Sequence, residues 1–244
     1  MPRFFVPKEN ITDDKIIITS GDVAHITRVL RMGAGDKILV CDGKGFEYDA
    51  EIVETGKKEI IFRVLEKTES KNEPNISVTL YQGVPKGGKM EYIIQKTTEL
   101  GITSIVPVEM ARCVSKIKGG DKIERWNKIS AEAAKQSQRG IVPRVCEPMS
   151  FREAAERMKK DDLFFAPYEC EETGGLKNTL LSKKDVKTVS FMIGPEGGFD
   201  LSEIEALKAA GIPTVTLGRR ILRTETAGEA VLAMIMYEIG DVNN

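Results

Sequence analysis

Two glycine-rich turns in the second half of the chain have the residue types and spacing of ligand-binding loops. The first reads IGPEGGF over Ile193–Phe199 and directly follows an apolar run, Val189–Ile193. Glycines let a ligand approach the backbone closely, and ligands of open α/β sheets bind beyond the carboxyl ends of strands. The pattern therefore indicates a binding loop, although a purely structural turn can have the same composition.

The second turn reads LGRRILRTETA over Leu217–Ala227; it also follows an apolar run and leads into a helical pattern. Arg220, Arg223 and Glu225 are interleaved with apolar Ile221 and Leu222. This alternation suits a cofactor pocket beside a polyanion. A local salt bridge between Arg223 and Glu225 is the alternative interpretation.

A third glycine-rich turn, Gly83–Met90, satisfies the phosphate-loop spacing GxxxxGK. That motif needs Ser or Thr after the lysine to bind magnesium, and this chain has Met90 there. Pro85 also removes one backbone N–H from the phosphate cradle. We therefore exclude nucleoside triphosphate hydrolysis and predict a strand-to-helix turn that exposes Lys86 and Lys89.

Composition limits the remaining chemistry. His25 is the single histidine and the four cysteines are far apart, which argues against zinc sites and predicts reduced thiols. No apolar run reaches the ~18 residues of a membrane span, and no signal peptide is recognisable, so we expect a cytoplasmic protein without membrane contact. The net charge is -1, but residues 85–144 hold 12 Lys and Arg against 6 Asp and Glu. This excess predicts either a phosphate-binding face or a solvated helix surface.

The patterning predicts two domains. Residues 1–70 contain short apolar runs separated by turn signals such as Asp42-Gly43, which is typical of a small β-barrel. One short helix is predicted at Gly21–Arg31, and residues 67–74 read as a linker. From residue 75 to 244, strand-like and helical runs alternate, which predicts a mostly parallel α/β sheet.

The last predicted helix, about Thr226–Ile239, is apolar nearly all round. Such a helix must be buried on most of its surface. It is either a central core helix or part of a dimer interface.

Seven short motifs occur along the chain in an order that is typical of one protein family. They are RFFV near the start, HITRVLRM (His25–Met32), Gly35-Asp36, QKTTELGI (Gln95–Ile102), AEAAKQSQR (Ala131–Arg139), GPEGGF (Gly194–Phe199) and LGRRILRTETA. Over essentially its whole length, the chain resembles the RsmE family of small-subunit ribosomal RNA methyltransferases. It departs from the family pattern at Arg219, where proline is common, and at Lys135 and Gln138, where glutamate and glycine are common.

The resemblance implies a SPOUT-class, trefoil-knotted catalytic domain preceded by a PUA-like β-barrel that helps to hold RNA. It also implies a homodimer that uses S-adenosylmethionine and no metal to methylate N3 of one uridine in 16S ribosomal RNA. The substrate is then free 16S RNA or the small ribosomal subunit. A SPOUT enzyme with another RNA target, and a non-catalytic RNA-binding module for ribosome assembly, stay open as alternatives.

The residues assigned to each role follow from the two ligand-loop motifs and from the resemblance together. The expected cofactor-binding residues are Pro167, Ile193, Gly194, Pro195, Glu196, Gly197, Gly198, Leu217, Gly218, Ile221, Leu222 and Thr226. The expected catalytic residues are Arg223, Glu225 and Arg139, with Glu225 either the base or a group that orients Arg223. The expected RNA-binding residues are Arg3, His25, Arg28, Arg31, Lys86, Lys89 and Lys135.

Overall fold

The computed structural model describes residues 1–19, 21–114, 120–172 and 174–242. These residues divide into two compact units, of which the first contains residues 1–73 and 134–142 and the second contains residues 74–133 and 143–244. The predicted second domain ran without interruption from residue 75, whereas the structure groups residues 134–142 with the first unit. Of the predicted basic segment 85–144, residues 115–119 lie outside the described residues, as do the last two residues of the chain.

The first unit is built on a five-stranded sheet in its described residues, with the order β1-β3-β4-β5-β2. The β1–β3 pair is parallel and the other pairs are antiparallel. Two register shifts between β4 and β5 bend the sheet, and Phe4, Ile16, Ile38, Tyr48 and Phe62 fill its core. The strands are β1 (Arg3–Phe5), β2 (Lys15–Thr19), β3 (Lys37–Cys41), β4 (Phe46–Thr55) and β5 (Glu59–Glu69).

The short helix predicted at Gly21–Arg31 has two parts. A single α-turn, α1 (Gly21–Ala24), continues into a π-helical turn over His25–Val29. The turn ends at Arg31, whose φ of 56° lies in the left-handed region. A short 3-10 helix also occurs at Lys8–Asn10. The apolar spacing predicted a helix here but gave no sign of the wider π turn.

The second unit contains a parallel sheet with the order β12-β10-β11-β6-β7-β8, and β9 also pairs with β7. All carboxyl ends of these strands therefore lie at one edge. The strands are β6 (Ser77–Gly83), β7 (Ser104–Glu109), β8 (Arg144–Val145), β9 (Met149–Ser150), β10 (Leu163–Pro167), β11 (Thr188–Ile193) and β12 (Thr214–Val215). This arrangement confirms the predicted mostly parallel α/β sheet.

Helices cover both faces of this sheet and enclose two buried apolar clusters. They are α2 (Lys89–Glu99), α3 (Gly120–Gln136), α4 (Phe151–Met158), α5 (Leu176–Leu180), α6 (Leu201–Ala209) and α7 (Thr224–Glu238). The capping boxes of α4 (Ser150 with Glu153) and α6 (Asp200 with Glu203) are present. Among the described helices, none has the length and apolar character needed to cross a membrane.

Candidate active site

A cavity of about 320 Å³ opens in the second unit, at the carboxyl ends of β10 and β11 and beside the segment that follows β12. Parallel strands of an α/β sheet place their ligand-binding loops at this edge. The lining residues are Lys89, Pro167, Tyr168, Glu169, Ile193, Gly194, Pro195, Glu196, Gly198, Phe199, Leu217, Gly218, Arg220, Ile221, Leu222, Arg223, Thr224 and Ala227. The two glycine-rich loops predicted from sequence therefore meet around one space.

The first loop is tightly turned because its glycines allow contacts that other residues would prevent. Gly198 has a φ of +66°, and a Cβ added there would lie 2.8 Å from Oε1 of Glu169. A Cβ added to Gly194 would lie 3.0 Å from the carbonyl carbon of Gly198. The Gly198 N–H closes the turn by donating to the Pro195 carbonyl at 2.9 Å. The backbone of this loop therefore forms a wall of the cavity without side chains intervening.

Two lysines and an arginine from two other segments hold this loop in place, through one backbone N–H and two cationic side chains. The Lys86 N–H donates to Glu196 Oε1 at 3.0 Å, and the Lys89 ammonium lies 3.1 Å from the same oxygen. Arg112 donates to the Gly197 carbonyl at 2.9 Å. Burial opposes ionisation of Glu196, but hydrogen bonds from its own N–H, the Lys86 N–H and Lys89 outweigh burial and lower the pKa of this carboxyl. The hydrogen bond to Glu196 in turn raises the pKa of Lys89.

These contacts explain the turn that resembles a phosphate loop. As predicted, it links a strand to a helix and exposes Lys86. Lys89 is only partly exposed, since it also lies 3.6 Å from Glu225 Oε2. A Cβ at Gly83 would lie 2.7 Å from Pro195, so the end of β6 packs directly against the first loop. The turn supports the neighbouring glycine loop.

The second loop presents apolar and cationic groups to the cavity. Gly218 has a φ of +97°, which favours glycine. Ile221 lines the cavity although it is 85% exposed, and an apolar side chain so exposed is available to contact a ligand. Arg223 is the N-terminal capping residue of α7. The next residue, Thr224, donates its hydroxyl to the Gly194 carbonyl at 2.7 Å and so joins the two loops.

Most predicted cofactor-binding residues line this cavity, with Gly197 and Thr226 as the exceptions. Arg220 lines the cavity as the pattern of the second loop suggested, whereas sequence reasoning missed Tyr168, Glu169, Phe199, Thr224 and Ala227 as lining residues. Two signals were available for part of this set. Tyr168 and Glu169 follow the carboxyl end of a strand, as the first loop does. Thr224 and Ala227 are three residues apart and therefore share one face of a helix.

The predicted catalytic residues have different surroundings in their own units. Arg223 lines the cavity, and Glu225 pairs with Lys89. Arg139 belongs to the first unit, is 3% exposed, and its Nη2 donates to Glu73 Oε2 at 2.7 Å. The Glu73 carboxylate also accepts the Gly140 and Ile141 N–H groups at 2.8 and 2.9 Å. The Glu73 carboxylate thus joins the guanidinium of Arg139 to the backbone N–H groups of Gly140 and Ile141.

The predicted RNA-binding residues differ in their freedom to contact a ligand. His25, Arg28 and Arg31 are exposed on the π-helical turn and just after it. Arg3 instead pairs with Glu47 at 2.8 Å and is mostly buried. The ammonium of Lys135 lies 5.3 Å from the centre of the Phe4 ring, a cation–π distance. Arg3 and Lys135 therefore contribute to the packing of the first unit.

Comparison with known proteins decides the family. Residues 71–236 match the family model described as an RNA methyltransferase domain, and residues 13–65 match an RNA methyltransferase PUA domain. The Ribosomal RNA small subunit methyltransferase E of Bacillus subtilis (strain 168) is 38% identical, over 98% of this chain and 97% of its own length. The chain belongs to the ribosomal RNA small subunit methyltransferase E family.

A solved structure from Neisseria gonorrhoeae gives the same result for the fold. It is described as a Ribosomal RNA small subunit methyltransferase E bound to S-adenosyl methionine. It is 32% identical to this chain, covers 100% of both chains and has a TM-score of 0.87. A putative methyltransferase from Legionella pneumophila in complex with the same cofactor is 28% identical over 98% of both chains, with a TM-score of 0.84. These matches confirm the methyltransferase family and the PUA-like first domain expected from the motifs.

The described residues contain no group of three or more His, Cys, Asp or Glu side chains placed to hold a metal ion. The cavity is lined instead by backbone groups, apolar side chains, arginines and two carboxylates.

Proposed function

We propose that this chain transfers a methyl group from S-adenosylmethionine to N3 of a uridine in 16S ribosomal RNA. The observation that carries the proposal is the cavity formed by the two glycine-rich loops, in a chain that matches its ribosomal RNA methyltransferase relatives over nearly its full length. We place the reaction in the cytoplasm, on free 16S RNA or on the small subunit.

The lining of the cavity supports S-adenosylmethionine as its ligand. Ile193, Leu217 and Leu222 give it apolar walls suited to an adenine ring. The bare backbone at Gly194 and Gly198 admits close contact, and the carboxylate of Glu169 suits a cationic ligand. When bound, this cofactor supplies an electrophilic methyl group, so the protein must supply position and electrostatics.

Arg223 is our candidate for the principal electrostatic role. Removal of the N3 proton leaves negative charge on the uracil ring, and a guanidinium at the cavity wall stabilises such charge. Glu225 lies beside Lys89, not in an ion pair with Arg223. This placement supports a role for Glu225 as a proton acceptor or as the group that holds Lys89 at the cavity rim. It does not favour the predicted role of orienting Arg223.

The decisive experiment incubates the purified protein with S-adenosylmethionine and either small ribosomal subunits or a 16S transcript. Nucleoside mass analysis should then detect 3-methyluridine in the RNA. The variant Arg223→Ala is the matched control for contaminating activity, and a transfer RNA competitor tests the substrate. Methylation of transfer RNA alone would contradict the ribosomal target, and binding of RNA without methyl transfer would favour a non-catalytic module.

We further propose that RNA is held jointly by the first unit and by the turn before α2. The exposed His25, Arg28 and Arg31 support the first contact, and the exposed Lys86 supports the second. Each phosphate neutralised adds roughly 0.7 to 0.9 to the slope of log affinity against log salt. Lys86→Ala should therefore flatten the slope by up to about 0.9. Arg31→Ala should weaken RNA binding without changing affinity for S-adenosylmethionine.

A homodimer is the proposed assembly. Helices α2 and α7 pack together, and on them Tyr92, Leu100, Met234 and Tyr237 are 46%, 37%, 43% and 57% exposed. Exposed large apolar groups of this kind mark association surfaces. Met234→Asp combined with Tyr237→Asp should give a folded monomer by light scattering. A wild-type monomer at micromolar concentration would contradict the proposal.

A knotted path is also proposed for the second unit. After β12, at one edge of the sheet, the Thr216 N–H donates to the Gly174 carbonyl at 2.6 Å. By Thr224 the chain has reached Gly194 and Gln82, at the ends of the more central β11 and β6. This crossing supports a threaded chain. Single-molecule pulling should give an unfolded contour length shorter than 244 residues allow, because a tightened knot retains chain.

A further inference from the structure

The side chain of Gln82 connects three separate segments beneath the cavity. It is fully buried near the carboxyl end of β6, and its amide donates to Thr224 Oγ1 at 2.9 Å and to the Gly83 carbonyl at 3.0 Å. Thr224 extends this connection to the first glycine loop, because its hydroxyl donates to the Gly194 carbonyl at 2.7 Å. The result is a directional chain of hydrogen bonds from β6 through α7 to the first glycine loop.

Packing alone does not account for an amide at this position. Gln82 lies in the unit's interior, and its Oε1 has no hydrogen-bond partner among the described residues. An unpartnered buried polar atom is unfavourable, whereas an apolar side chain of the same size carries no such penalty. The amide is therefore better explained by what its N–H groups orient than by the stability of the core.

The oriented group is placed at the junction of the two cavity loops. Thr224 is the first residue of α7, lines the cavity, and directly follows Arg223. Gly194 begins the turn of the first loop. A shift of the Thr224 hydroxyl would therefore change the spacing of both loops and the direction in which Arg223 leaves the helix.

We infer that Gln82 is a positioning residue, which sets the geometry of the cofactor cavity through the Gln82–Thr224–Gly194 hydrogen-bond relay. This inference rests on the proposed function, because it takes S-adenosylmethionine as the ligand of the cavity. Gln82 acts through Thr224 and needs no contact with the cofactor itself.

The test uses Gln82→Met, which keeps the volume and removes the amide, and Thr224→Val, which removes the hydroxyl. Both should increase amide hydrogen exchange over residues 227–231, the first hydrogen-bonded turn of α7, in the ligand-free protein. Both should also weaken binding of S-adenosylhomocysteine by about tenfold in calorimetry, as expected for one lost hydrogen bond. Thr224→Ser retains the hydroxyl and should restore both properties.

The matched control is Thr79→Val, in the same strand. It removes the 2.9 Å hydrogen bond between Thr79 and Ser104, away from the cavity, and should leave exchange over residues 227–231 and ligand affinity unchanged. The inference would be overturned if Gln82→Met had the same exchange and affinity as the wild type. It would also be overturned if Thr79→Val changed both properties as much as Gln82→Met does. If the wild type itself binds no S-adenosylhomocysteine, the proposed function fails, while the exchange comparison still decides whether the relay exists.

Discussion

Residues 134–142 and 217–223 each contain an arginine that was expected to act on RNA or the uracil base, and the structure gives the two arginines different surroundings. In the first, Arg139 is buried and its guanidinium is bound by Glu73. In the second, Arg223 is exposed at the wall of a cavity. The same residue type is therefore buried in an ion pair in one unit and exposed at a cavity in the other. What separates them is the partly buried carboxylate of Glu73.

The strongest test of this difference is Arg139→Ala. Removing one partner of a buried ion pair leaves the other charge without compensation and costs about 3–5 kcal/mol in the free energy of unfolding. Urea denaturation measures the loss. The matched control is Arg125→Ala, because Arg125 pairs with Glu91 on the exposed surface, where a pair contributes at most about 1 kcal/mol. Unchanged stability together with lost methyl transfer would assign Arg139 to catalysis and remove the contrast.

The second test is Arg223→Ala, which should affect the reaction far more than the fold. We expect kcat/KM to fall about 100-fold, as for removal of a group that stabilises transition-state charge, and the unfolding free energy to change by less than about 0.5 kcal/mol. Arg219→Ala, in the same exposed loop but not lining the described cavity, should change kcat/KM only a few-fold. Equal effects of the two substitutions would show that the loop acts through its overall positive charge. The position of the Arg223 guanidinium would then not matter.

A third arginine sharpens the comparison, because Arg31 is exposed and also strained. Its φ of 56° favours glycine, so Arg31→Gly should stabilise the protein by up to about 1 kcal/mol while weakening RNA binding. Arg28→Gly, in the π-helical turn, should instead destabilise it by about 0.5–1 kcal/mol. Thermal unfolding and filter binding measure the two effects. A loss of stability in Arg31→Gly would mean that its side chain has an important packing role.

The smallest expected effect concerns pH and the carboxylate that braces the first glycine loop. The lowered pKa of Glu196 means that its ionised form stabilises the fold above its ordinary value of 4.5. This contribution is lost as the pH falls below 4.5 through the lowered value in the folded protein. Glu196→Gln should therefore unfold at a slightly lower temperature than wild type at pH 5.5. The two proteins should converge at lower pH, and a difference independent of pH would assign the effect to packing.

The sequence was sufficient to predict the sheet of the second unit and most of the cavity. Apolar runs such as Val189–Ile193 mark buried strands, and the loops after parallel strands must meet at one edge. The role of Arg139 could not be predicted in this way, because its partner Glu73 lies 66 residues earlier in what reads as a polar linker. Lys89 was predicted to bind RNA, but its ion pairs with Glu196 and Glu225 depend on how three loops converge. A local sequence pattern identifies helices, strands and loops, whereas contacts between residues far apart in the sequence decide the role of each charged side chain.

The ion pair between Arg139 and Glu73 also limits how freely the first unit can be exchanged between proteins. That unit is encoded by two stretches of sequence, residues 1–73 and 134–142, with much of the second unit inserted between them. A contiguous gene segment ending at residue 73 would leave the Glu73 carboxylate without Arg139 and without the Gly140 and Ile141 N–H groups. The first unit is therefore not an independent cassette, and grafting or recombination must carry both stretches together.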